Sequence, residues 1–352
     1  MIISKTPYRL SFFGGGTDFP KWYLKEEGAV LSTTIDKYCY LTCRFLPPYF
    51  QTRHRVVWSH IETVSTISEI LHPAVREGLK MVGFDDTRGF EIHHQGDVPA
   101  RSGMGTSSTF AVGLLNALYQ LKGRTLSKAE LADRAIHLEQ ERLAESVGSQ
   151  DQVAAAYGGF NTIQFLKSGE IRVDPVQVAT HRLTELQNHL MLVYTGSSRN
   201  GTELAKTTIA NISKSKLVLR QMRAMVDKGR EILEGHDPIH QFGKLLHQAW
   251  ELKQALNPLS ASSEINSIYK TALKQGAIGG KVMGSGGAGF VVLFVPPNRQ
   301  RQLAAALQGY LHVPFKFESS GSTILLNSEP GIKAVKSNPI VDELNPSSKI
   351  SI

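Results

Sequence analysis

The segment Asp97-Val98-Pro99-Ala100-Arg101-Ser102-Gly103-Met104-Gly105-Thr106-Ser107-Ser108 runs directly into an apolar stretch. In that stretch, Thr109–Leu121, Phe110, Leu114, Leu115 and Leu118 recur at helical spacing, and Gly123 follows. Gly103 and Gly105 let backbone N–H groups approach an anion with no side chain in the way. A helix starting just beyond them points its unsatisfied N–H groups and positive dipole end at the same place. Thr106, Ser107 and Ser108 add hydroxyls suited to phosphate oxygens or a magnesium ion. The Gly-Lys-Ser/Thr of a Walker loop is missing. A capped helix after a glycine turn would read the same way, so the segment alone names no nucleotide.

Two further segments carry the same kind of signal. Pro7-Tyr8-Arg9-Leu10-Ser11-Phe12-Phe13-Gly14-Gly15-Gly16-Thr17-Asp18-Phe19 is a strand pattern ending in three glycines and an aspartate, nine residues after Arg9. Asp18 has the chemistry to accept two hydrogen bonds from vicinal hydroxyls, although a tight turn explains the pattern equally well. Lys281-Val282-Met283-Gly284-Ser285-Gly286-Gly287-Ala288-Gly289-Phe290 spends much backbone entropy on glycine ahead of an apolar strand. A hairpin turn is its plain alternative.

Around these segments the pattern predicts strands at Ile2–Ser11, Tyr38–Phe45, Gly89–His94, Asn161–Phe165, His189–Tyr194, Gly289–Phe294 and Ser322–Leu326. Helices are expected over 66–82, 109–121, 150–157, 202–233, 239–255 and 300–311, with another opened by the capping box Ser127…Glu130. The tail from Pro330 is polar and expected to be loosely ordered. The mixture predicts an α+β protein in two lobes, 1–170 and 171–352.

The chain has 352 residues, with 39 Lys and Arg against 31 Asp and Glu, a formal charge of +8. Its cations are scattered, with no basic run or aromatic interleaving, which argues against nucleic acid as a partner. Only Cys39 and Cys43 are present, too few for a disulfide scaffold or a zinc site. Met1–Lys5 lead into a strand pattern without a signal-peptide core, and no apolar run reaches membrane-spanning length. A cytoplasmic chain bound to neither membrane nor nucleic acid is the expectation, and a homodimer is compatible with it.

In this order the three segments resemble the GHMP kinases, the superfamily of galactokinase, homoserine, mevalonate and phosphomevalonate kinases. The resemblance covers roughly residues 4–327. Arg9, Thr17 and Asp18 match its first motif; Gly103, Ser107 and the following helix match its second. Gly15-Gly16 stand where galactokinases have Glu-His, and Arg101 stands where a glycine is common. The form of residues 7–23 and of Gly148–Asn161 is most similar to the heptose and fucose branch.

The resemblance implies a two-lobed fold with the active-site cleft between the lobes, and ATP and Mg2+ as cofactors. It places the phosphates on Arg101, Ser102, Gly103, Met104, Gly105, Thr106, Ser107 and Ser108, with the late loop Gly284, Ser285, Gly286 and Gly287 completing the site. Asp151 would accept or orient the attacking hydroxyl proton, with Arg9 keeping it ionised and stabilising the transferred group. Ser107 and Glu139 would hold the metal; Glu141 is the alternative, because helix rotation cannot be read from sequence. Gly16, Thr17, Asp18 and Arg199 would face the acceptor. The implied acceptor is D-glycero-D-manno-heptose 7-phosphate, phosphorylated at its anomeric hydroxyl to the 1,7-bisphosphate for nucleotide-activated heptose in capsule or lipopolysaccharide synthesis. Lys5, Lys21, Arg101 and Arg199 are candidate partners of the 7-phosphate. A fucose- or galactose-like hexose is the alternative acceptor, and a non-catalytic sugar-sensing relative is the alternative class. The sensor would be expected to have lost Asp151 or the metal ligands.

Overall fold

A computed structural model describes residues 1–328 apart from 51, 198–200 and 213. In chain order the elements are β1 (Ile2–Phe13), α1 (Pro20–Glu26), β2 (Gly28–Leu46), β3 (His54–Val57), β4 (Ile61–Val64), α2 (Pro73–Val82), β5 (Gly89–Gly96) and α3 (Thr106–Leu121). Then come α4 (Lys128–His137), α5 (Gln150–Tyr157), β6 (Asn161–Phe165), β7 (Ile171–Pro175), α6 (Thr180–Asn188) and β8 (Leu190–Tyr194). The remainder is α7 (Gly201–Asn211), α8 (Lys216–Glu234), α9 (His240–Leu256), α10 (Ser263–Lys274), β9 (Gly279–Val282), β10 (Phe290–Phe294), α11 (Pro297–Ala306), β11 (Leu311–His312), β12 (Phe317–Glu318) and β13 (Thr323–Asn327).

The α+β expectation holds. Among the described residues the strands form a nine-stranded sheet, with the path β13-β1-β2-β5-β3-β4 and with β6, β7 and β12 off it, and a four-stranded sheet ordered β11-β8-β10-β9. β2 is far longer than the expected Tyr38–Phe45. Its first half, Gly28–Ile35, is buried throughout, so no polar alternation marks it as a strand. That half pairs with β6 and β12, while the second half pairs with β5. The first sheet also recruits strands from beyond residue 170, namely β7, β12 and β13.

Helix α3 packs on β1 and β2. Gly113 permits the close approach: a Cβ there would lie 2.8 Å from Thr6 Oγ1. On β10, Phe290, Val292 and Phe294 join a core cluster that begins at Ile2. Val291 and Leu293 join a smaller cluster with Trp250 and Ile268. This two-sided burial explains the unbroken apolar run, and it ties the two sheets together through one main core.

Several helix boundaries differ from expectation. The helix expected over 66–82 begins at Pro73, because proline takes the first helical position, and Ile67–Glu69 forms a separate 3-10 turn. The long helix expected over 202–233 is two, α7 and α8. The one expected over 300–311 is α11, which ends at Ala306 and leaves Leu311–His312 to pair with β8. The tail from Pro330 lies outside the described residues.

Candidate active site

Arg9 sits on β1, opposite Thr34 of β2, and is almost wholly buried. Its Nε and Nη2 donate to Asp151 Oδ1 and Oδ2, each at 2.7 Å, and its Nη1 donates to the Gly103 carbonyl at 2.7 Å. One guanidinium therefore joins the first strand, the glycine loop and the first turn of α5. Paired, charge-assisted bonds of this kind offset the desolvation that a lone buried cation would suffer. Gly105 borders the same carboxylate: a Cβ there would lie 3.1 Å from Asp151 Oδ2, and its φ of +73° disfavours any side chain.

Helix α3 starts at Thr106, three residues before the expected Thr109, so Thr106, Ser107 and Ser108 form its first turn. Its N-cap, Gly105, offers no side-chain hydrogen bond, which leaves the helix end available to an anion. Behind the loop lies the late glycine-rich segment. A Cβ on Gly103 would come within 2.7 Å of the Met283 carbonyl, and one on Gly284 within 2.6 Å of Gly103 Cα. Phe290 N–H donates to the Ser102 carbonyl, and Gly287 N–H donates to the Ser260 carbonyl. Gly286 packs on Ser260 as well, while Ser285 stays partly exposed. Ser102 and Met104 have no exposure, and Ser102 Oγ has no hydrogen-bond partner among the described residues. Arg101 is exposed, with φ of +59°, and its N–H donates to Thr106 Oγ1.

Of the two candidate glutamates, Glu139 faces the loop. Ser107 Oγ donates to Glu139 Oε1 at 2.7 Å, and Gln152 Nε2 donates to Oε2 at 2.5 Å. Glu141 is turned outward beside His137. Glu139 lies in a π-turn, Leu138–Arg142, that continues α4. Burial pushes its carboxyl up to about 7, against the hydrogen bonds from Ser108, Ser107 and Gln152. Among the described residues no cluster of three or more His, Cys, Asp or Glu could hold a metal. One carboxylate beside one hydroxyl nevertheless suits magnesium, which keeps several waters and takes phosphate oxygens as its other ligands.

On the acceptor side, Gly16 N–H donates to Asp18 Oδ1 at 2.9 Å, and Gln150 N–H donates to Oδ2 at 3.4 Å. Burial, then the nearby Asp151, raise the Asp18 pKa. Thr17, expected to face the acceptor, is a tether instead. It is fully buried, and its hydroxyl donates to the Gly14 and Ala29 carbonyls while accepting from Ala29 N–H. A cavity of 230 Å³ opens beside this loop, lined by Phe19, Lys21, Gln140 and Glu145 among others. Lys5, expected among the acceptor cations, is held over the Tyr38 ring at 3.8 Å, near the opposite end of β1. Arg199 lies outside the described residues.

Two lysines that sequence reading passed over complete the surroundings. Lys281 donates to the Phe12 carbonyl at 2.9 Å, and Lys253 donates to the Val282 and Gly284 carbonyls at 2.7 and 2.5 Å. Lys281 belongs to the segment already singled out for its glycines; Lys253 lies mid-helix with no local signal.

An uncapped helix end behind two glycines, beside a carboxylate clamped by arginine, has the chemistry that phosphoryl transfer calls for. Comparison with known proteins makes the class specific. Residues 67–159 match the N-terminal domain of the GHMP kinases and residues 236–312 match their C-terminal domain. The chain belongs to the GHMP kinases, which use ATP as phosphate donor. It is 29% identical, over 91% of its own length and 97% of the other, to D-glycero-alpha-D-manno-heptose 7-phosphate kinase of Campylobacter jejuni subsp. jejuni serotype O:2. It is 26% identical, over 88% of its length and 31% of the other, to the bifunctional fucokinase/GDP-fucose pyrophosphorylase of Arabidopsis thaliana. The crystal structure described as a D-glycero-D-manno-heptose 1-phosphate kinase from Bacteriodes thetaiotaomicron shares the fold. It superposes with a TM-score of 0.77 at 24% identity, covering 94% of this chain and 100% of that one. Among the described residues no helix is long and apolar enough to cross a membrane.

Proposed function

We propose that this sugar kinase phosphorylates the anomeric hydroxyl of a sugar phosphate, D-glycero-D-manno-heptose 7-phosphate giving the 1,7-bisphosphate. The observation that carries the transfer chemistry is the bidentate Arg9–Asp151 pair set directly against the glycine loop. The heptose acceptor draws on the similarity to the Campylobacter jejuni enzyme along nearly the whole chain. A place in nucleotide-activated heptose synthesis, in the cytoplasm, goes with that acceptor.

In this reading the ATP phosphates lie along the backbone from Gly103 to Ser108, held by N–H groups and by the α3 dipole. Asp151 orients the acceptor hydroxyl and takes its proton, while Arg9 holds the carboxylate in place and offers charge to the transferring phosphoryl group. Asp18, fixed by Gly16 and Gln150, binds ring hydroxyls. Ser107 and Glu139 would hold magnesium, which when bound supplies charge neutralisation at the phosphates. The late loop Gly284–Gly287 supports the phosphate loop from behind.

One feature favours a second reading, in which the acceptor is an unphosphorylated, fucose-like hexose. Among the described residues lining the cavity next to the three-glycine turn, Lys21 is the one cation, its ammonium already donates to the Ile209 carbonyl, and Glu145 shares the cavity. The two readings separate in an ATP-consumption screen over sugars and sugar phosphates, with product position assigned by phosphorus NMR. Heptose 7-phosphate should be turned over at the anomeric position. Turnover confined to free hexoses would replace the heptose reading with the second one.

A further inference from the structure

Three cationic side chains converge behind the phosphate loop from three different elements: Arg9 from β1, Lys253 from α9 and Lys281 from β9. Arg9 has Asp151 as its counter-ion. The two lysines donate to backbone carbonyls, and no ion pair of either is found among the described residues. Backbone carbonyls do not need a full charge to be satisfied; a neutral amide would bond them without the desolvation penalty. The three cations also repel one another. Burial first, then the neighbouring cations, pull the Lys253 ammonium well below its ordinary value, and burial and Arg9 bring Lys281 down to about 7. The acidic groups facing this cluster are Asp151 and Asp18, and with Arg9 already paired to Asp151 the empty site disfavours the charged form of both lysines. An arrangement that is uphill when empty becomes favourable once an anion is added at its centre.

We propose that Lys253 and Lys281 are positioning residues of the transfer step, holding the late glycine-rich loop and the end of β1 against the phosphate loop while adding positive potential at the Arg9–Asp151 pair. The mechanical half is visible in the bonds. Lys253 grips the carbonyls on either side of Met283, whose own carbonyl is what Gly103 rests on. Lys281 grips Phe12, just ahead of the three-glycine turn that leads to Asp18. The electrostatic half follows from the position of the two amines: a phosphoryl group beside the cluster would favour their ammonium forms, most when it carries its greatest exposed charge, in transit.

This inference rests on the kinase chemistry and is independent of which sugar is the acceptor. Its test therefore uses a transition-state mimic and no acceptor turnover. Binding of ADP with magnesium is compared with binding of ADP with magnesium and aluminium fluoride, in wild type and in Lys253→Gln and Lys281→Gln. Glutamine keeps a donor for the carbonyls and removes the charge. The expected result is an ADP affinity within a few-fold of wild type, with the gain from aluminium fluoride reduced by about 100-fold. Thermal unfolding should show no loss of stability, because glutamine can still donate to the carbonyls and carries no amine that must be desolvated. A folded glutamine variant that retains the full aluminium fluoride gain would overturn the proposal and leave a carbonyl tether alone. Should glutamine prevent folding, Lys253→Met and Lys281→Met are read by the same increment. Failure of the kinase reading would look different, since wild type itself would then bind no nucleotide.

Discussion

The residues proposed to do the chemistry are held by very few bonds, and each bond has a consequence. Arg9 spends three donors on two partners, so the orientation of Asp151 and the position of Gly103 are set by one side chain. Asp151→Asn should leave nucleotide binding intact and reduce turnover by at least about 100-fold, because the amide cannot take the acceptor proton. A near-normal kcat would remove Asp151 from the mechanism. Arg101 makes a different point. It occupies a left-handed backbone conformation, φ +59°, where the related motif commonly has glycine. A side chain in that region costs about 1–2 kcal/mol. Arg101→Gly should therefore raise the unfolding free energy of the nucleotide-free chain by up to about 1 kcal/mol, after the added flexibility of the unfolded chain is deducted. Chemical denaturation measures it, and a clear loss of stability would show that Arg101 is held by contacts worth more than its strain.

At the scale of elements, the site depends on where helices begin and how they are wound. Starting α3 at Thr106 puts Ser107 in its first turn, within reach of Glu139. The π-turn after α4 widens the helix by a residue where Glu139 must face inward, while Glu141 turns to solvent. Nothing in Leu138-Glu139-Gln140-Glu141-Arg142 announces that winding, which is why sequence left the two glutamates open. The motif-bearing segments, by contrast, were legible, because glycines at positive φ and an aspartate at a helix start are local demands. The tether role of Thr17, the two lysines and the buried half of β2 were not, since each is defined by what a distant segment places against it. The winding also has a pH signature. Glu139 has its pKa raised, so in the free protein its protonated form is favoured up to about 7. Its contribution to stability is therefore present at low pH and lost as pH rises from the ordinary carboxylate value through 7. With magnesium held by Ser107 and Glu139 as proposed, binding would need the ionised form, so affinity for the magnesium–nucleotide complex should rise about tenfold between pH 6 and pH 8. Glu139→Gln should abolish that rise and should stabilise the empty protein at pH 8. A pH-independent wild-type affinity would place the metal elsewhere.

At the scale of the molecule, the chain brings together segments separated by nearly its full length. Phe12 and Phe13 of the first strand pack edge-on against Phe242 of α9, with ring centroids 5.2 and 5.0 Å apart. Lys281 reaches Phe12 from the second sheet, and β12 and β13 return to the first. The phosphate loop is thus pressed between β1 and the late glycine-rich loop, a position no single segment could create. That placement makes the proposed triphosphate site a property of the whole fold. A crystal structure with a non-hydrolysable ATP analogue and magnesium tests it most directly. The triphosphate should run along the N–H groups of residues 103–108, with its terminal phosphate turned toward Asp151 and Arg9. A triphosphate bound away from that backbone, with Asp151 facing no phosphate, would contradict the account.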